Sequence, residues 1–240
     1  MSGTHTIPAP PGGFVGRAIY RVRPREKRAF STVLDAQRVV GGSSRPFSEV
    51  SFTSEDGDVV LAMDNPVAEG RMREEFRFGR EGDGLVSRRL SREVFDGSGR
   101  AVRTEIVPDF RHDALGLPRA TYPEVALPFI LGWMPHDSAR RSVYAWINDR
   151  FIAKVYVEVT ARTSLSIAGK THDVVETVMY PDLNDWVPLG AMITRLAKPF
   201  LPKYHMWYER RAPHALVRFE GPYGPPGAPE VVLEASTMNA

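Results

Sequence analysis

The residues of this chain with the most chemical potential lie in its last third. Glu176 falls on one face of a predicted strand with His172, Val174, Val178 and Tyr180, because side chains two apart along a strand point the same way. A carboxylate partly desolvated among valines resists ionisation, and that suits it to proton transfer. His172, His205 and Tyr208 are accessory donors for it. Arg88, on a face with Val86, Leu90, Arg92 and Val94, is an anion anchor. Trp146, Trp186, Trp207, Tyr156 and Met192 are wall residues for an apolar pocket. Together they suggest an enzyme that confines a bulky apolar substrate and cyclises or isomerises it with acid–base assistance and no cofactor. A non-catalytic carrier of a lipid or other hydrophobic ligand needs the same hollow without the poised carboxylate. An interaction module with a solid sheet needs neither, and solvated outer faces or cross-strand ion pairs then explain the same charges.

These side chains need a sheet to hold them. A charge on a half-apolar strand face costs several kcal/mol in a solid core unless it is paired, and a curled sheet around a cavity relieves that cost. Strands are expected over 18–22, 47–53 and 59–63, then in a meander over 72–78, 84–95 and 101–107 broken by glycine-bearing turns. In the meander, Met72, Glu74, Phe76 and Phe78 share a face. Residues 29–40 read as strand or helix, with strand favoured. Further strands cover 142–148, 151–162, 165–167 and 171–180, and a hairpin over 203–210 and 214–220 turns at Ala212-Pro213 before a last strand at 230–234. A capping-box spacing at Thr121–Glu124 predicts a short helix that Pro128 then disturbs. Leu189, Met192, Ile193 and Leu196 predict a helix over 189–198, placed as a lid.

Composition narrows the classes. The chain has 240 residues, 42% of them hydrophobic, enough for one sizeable core. Its 31 basic and 29 acidic residues leave a net charge of +2, which gives no footprint for nucleic acid. With no cysteine, disulfides, thiolate nucleophiles and Cys-type zinc sites are excluded. The six histidines show no ligand spacing, so no metal is expected, and adjacent His172 and Asp173 point to opposite faces of a strand. No membrane span and no secretory signal are legible, which makes a cytoplasmic location the expectation. A homodimer is compatible with the sequence.

Residues 166–175 (SIAGKTHDVV), Met206-Trp-Tyr and residues 212–221 (APHALVRFEG) are similar to segments of an uncharacterised bacterial family with a curled antiparallel sheet of the lipoprotein-carrier or lipocalin-like type. The resemblance covers about the C-terminal third and implies a fold, with no catalytic residue to transfer. The expectation is therefore an all-β, β-dominated protein: a flexible N-terminal arm over 1–16, and a single barrel-like domain over 17–240 with a curved antiparallel sheet and one or two short helices.

Overall fold

The computed structural model describes residues 4–25, 47–67, 70–107, 116–148, 151–182, 203–222 and 230–239. Its thirteen strands are β1 (Gly16–Pro24), β2 (Phe47–Glu55), β3 (Asp58–Val67), β4 (Gly70–Glu81), β5 (Gly84–Asp96), β6 (Ala101–Val107), β7 (Thr121–Pro123), β8 (Arg141–Asn148), β9 (Phe151–Ile167), β10 (Lys170–Pro181), β11 (Tyr204–Glu209), β12 (Leu216–Pro222) and β13 (Glu230–Asn239). They form one sheet, in the order β6-β5-β4-β3-β2-β1-β13-β12-β11-β10-β9-β8-β7. All neighbours are antiparallel except β7 and β8. The hairpin turns at Asp56-Gly57 and Ala168-Gly169 have positive φ at both positions, the twist that two-residue connections between right-twisted strands require.

The sheet curls until its ends approach, but β7 and β5 do not pair. The N-terminal segment closes the seam instead. Ile7 N–H donates to the Tyr122 hydroxyl at 3.0 Å, that hydroxyl donates to Leu85 O at 2.8 Å, and Leu85 N–H donates to Ile7 O at 2.8 Å. On the other side, His5 N–H donates to Ser142 O at 2.7 Å. Ser87 Oγ adds a bond to Thr121 O at 3.0 Å. Gly84 permits this strap, since a Cβ there would collide with Thr6. Residues 1–16, with few apolar groups, are expected to be mobile or draped over the surface; in residues 4–16, burial of Ile7 and backbone bonds to two strands lay the segment into the seam.

Inner-face residues of most strands converge on one apolar cluster that includes Tyr20, Val50, Leu61, Phe76, Phe78, Leu90, Trp146 and Phe219. A plug from residues 124–133 fills the middle: two 3-10 turns flank helix α1 (Leu127–Ile130), all four of whose residues are buried. The capping-box expectation fails here. Thr121 is in β7, and its hydroxyl donates to Pro118 O at 2.6 Å instead of capping a helix. Pro128 sits in the first turn of α1, where a missing N–H costs nothing. The strands expected at 151–162 and 165–167 are one strand, and the last strand runs five residues beyond 234 to pair with β1. Residues 29–40 and the helix expected at 189–198 lie outside the described residues.

Candidate functional site

The structure divides the residues singled out in the sequence between the two faces of the sheet. In β10 and β11 the inner face carries Val175, Thr177, Met179, Met206 and Tyr208, which meet across the ladder. Glu176, His172, His205 and Trp207 therefore point outward. Glu176 and His205 do come together, with Oε1 3.0 Å from Nδ1 and side chains 22% and 26% exposed. His172 likewise meets Glu209 at 3.0 Å. These are cross-strand pairs on the outer surface, separated from the barrel interior by the sheet itself.

Arg88 is also outside, and the reason is a bulge. Phe76 pairs with Leu90 and Arg77 with Arg89, but Phe78 pairs with Ser87, so Arg88 is the extra residue. One inserted residue reverses the alternation. Arg92 stays inside with Leu90, whereas Arg88 is 54% exposed, folds over Gly79 and binds Asp58 at 3.0 Å. Tyr156 is outward too: its hydroxyl donates to Asp182 at 2.6 Å and Arg140 lies 4.5 Å from its ring centroid. Trp207 packs beside Val174, Val217 and Ile167 in a small second cluster on the outer face, under Arg218. Only Tyr208 and Trp146 are inside, both in the filled core. Burial raises the Tyr208 phenol well above its usual range, and it donates to Pro128 O at 2.6 Å, tying β11 to the plug. Trp186 and Met192 lie outside the described residues.

Two interior features escaped the sequence reading. One is a polar chain across five strands: Ser48 Oγ donates to Asn65 Oδ1, Asn65 Nδ2 to Glu74 at 3.4 Å, and Arg92 to Glu74 at 2.8 Å and to Glu105 at 3.1 Å. The Glu74 side chain has no solvent exposure, and burial pushes its carboxyl up against the pull of Arg92. Its signal was present, since Glu74 alternates with Met72, Phe76 and Phe78. The other is Glu124 in the plug, whose carboxyl is raised by desolvation and accepts a bond from the Tyr204 hydroxyl at 2.8 Å.

Among the described residues an apolar recess opens between β1, β2, the plug and the β11–β12 connection. Tyr20, Val50, Phe52, Phe129 and Trp133 line it, with Leu216 at its floor. Phe14, from the segment before β1, covers the opening, with ring centroids 5.7 Å from Phe52 and 5.8 Å from Trp133; Phe52 and Trp133 are 5.1 Å apart. The free volume is about 40 Å³, space for a few waters. Arg17, His214 and Asn239 also line the recess, and the Tyr20 hydroxyl donates to Leu216 O at 2.8 Å. Among the described residues no cluster of three His, Asp or Glu could hold a metal ion, and no helix is long and apolar enough to cross a membrane.

No protein-family model matches the chain, and no curated protein does. Among solved structures, a beta-barrel-like protein of a domain of unknown function, DUF1849, from Brucella abortus is similar over 94% of this chain and 97% of that one, with 8% identity and a TM-score of 0.44. The Mycobacterium tuberculosis lipoprotein LppX is similar over 95% of this chain and 87% of that one, with 12% identity and a TM-score of 0.33.

Proposed function

We propose that this protein is a non-catalytic carrier that takes an apolar small molecule into the recess between β1, β2 and the plug. The observation that carries the reading is the aromatic cluster of Phe14, Phe52 and Trp133 on a recess whose lining is mostly apolar. That is the distribution of a site that binds by burying surface. The cyclase or isomerase reading has less support, because Glu176, His172 and His205 lie on the opposite face of the sheet from any interior ligand.

A ligand of ordinary size needs about 300 Å³ or more, so the recess must widen to accept one. Phe14 is the residue placed to move. It follows Gly12-Gly13, neither of which has any atom against it, and Gly13 has a φ of +72° that favours glycine. Swinging Phe14 out costs two aromatic contacts, which the incoming ligand restores.

Titration with cis-parinaric acid, followed by energy transfer from tryptophan, tests the reading. Saturable one-to-one binding is expected, with Trp133→Phe losing most of the transfer and Val50→Asp losing the binding. Glu176→Gln should bind as wild type does. Absence of saturable binding, together with a bare protein mass in native mass spectrometry of fresh material, would rule the carrier out.

A further inference from the structure

We propose that the protein forms a two-fold homodimer by antiparallel pairing of β6 with β6 of a second copy, centred on Thr104. The two ends of the sheet are finished differently. The β7 end is three residues long, ends in Pro123, is fully buried and is packed under the N-terminal strap. Those are the usual ways of blunting an edge. The β6 end is seven residues long and, among the described residues, pairs only with β5. It has no lysine and no proline within it. Val102 and Ile106, 48% and 50% exposed, are two of the few large apolar side chains left in solvent.

The occupant follows from the sequence of the strand, Ala101-Val-Arg-Thr-Glu-Ile-Val107, which is complementary to itself in reverse. Antiparallel pairing about Thr104 sets Val102 against Ile106 and Arg103 against Glu105 of the second copy; Ala101 lies beyond the bulge that β6 makes against β5 at Val102 and is not counted in the match. Directly opposed residues share a face, so every pair matches in character: apolar with apolar, cation with anion. A register one residue away would set Arg103 against Thr104 and lose the charge match. Glu105 is already held in place by Arg92 at 3.1 Å, and its own Arg103 is 3.8 Å away and mostly exposed, available to the second copy's carboxylate. Among the described residues β6 is the one open edge, so the pairing closes as a dimer and does not propagate into a fibre.

Sedimentation velocity of the full chain over a dilution series tests this, against a monomer of 26.8 kDa. A monomer–dimer equilibrium is expected. Ile106→Lys, at an exposed position that leaves the fold alone, should weaken the dimer at least tenfold. The absence of native cysteine gives a second, register-specific reading. Opposed Cα atoms about 4.5–5.5 Å apart fall in the disulfide range, so Thr104→Cys should link to itself on mild oxidation while Ser98→Cys, in the preceding turn, should not. A single monomeric species at all concentrations overturns the proposal. So does a dimer that survives Ile106→Lys unchanged or fails to link through Thr104→Cys, since that dimer uses another surface or register.

Discussion

At the scale of single residues, charge placement in this protein is decided by partners more than by exposure. Glu74 is the clearest case: a carboxylate with no solvent contact survives because Arg92 and Asn65 both bond it. Removing one member of a buried pair leaves the other uncompensated, so Glu74→Ala should cost about 3–5 kcal/mol in urea unfolding. The double replacement of Glu74 and Arg92 by leucine should cost clearly less than the sum of the single changes. His136 makes a second testable case. Burial, and then the neighbouring His214, push its imidazole down to about 4 from an ordinary 6.5. The unfolded chain therefore binds a proton between those values that the folded chain refuses, and stability should fall as pH drops from about 6.5 towards 4. His136→Phe keeps the stacking with Tyr208 and should flatten that part of the stability–pH curve. Neither the pairing of Glu74 nor the setting of His136 follows from local sequence, because each depends on which strand lies alongside.

At the scale of elements, two irregularities set the faces of the sheet. The β4–β5 bulge sends Arg88 out and keeps Arg92 in; at the β9–β10 bulge the extra residue is Thr160 on β9, so the alternation of β10 runs unbroken through Glu176. Strict alternation correctly grouped Glu74 with Phe76 and Phe78 in a strand without such a break before Arg77, and misplaced Arg88 in a strand that has one. A bulge is a matter of two strands in register, so one strand's sequence does not announce it. The N-terminal strap depends on Tyr122, whose hydroxyl serves Ile7 and Leu85 at once. Tyr122→Phe should cost about 1–3 kcal/mol by orphaning two buried backbone groups, lowering the midpoint of thermal unfolding by about 2–4 °C per kcal/mol. Protease sensitivity within residues 4–16 should rise in the same variant, as it would not for a surface change of equal cost.

At the scale of the whole molecule, the thirteen-strand sheet of the described residues curls without closing; the strap fills its seam, Phe14, Phe52 and Trp133 cluster at the recess, and β6 is left paired on one side. Phe14→Ala should cost about 1–3 kcal/mol through the two aromatic contacts it removes and speed association of an apolar fluorophore with the recess, read by stopped flow. The chain's own sequence determined the strands, the meander at β4–β6 and the all-β class, because alternation and glycine turns are local properties. Only the tertiary structure decided which face of each strand is inside. That choice rests on curl, bulges and the plug of residues 124–133 filling one side, which are set by contacts between residues far apart in sequence. Glu176 and Trp207 alternate with valine and methionine much as interior residues do, yet they lie outside because the larger apolar cluster formed on the other face.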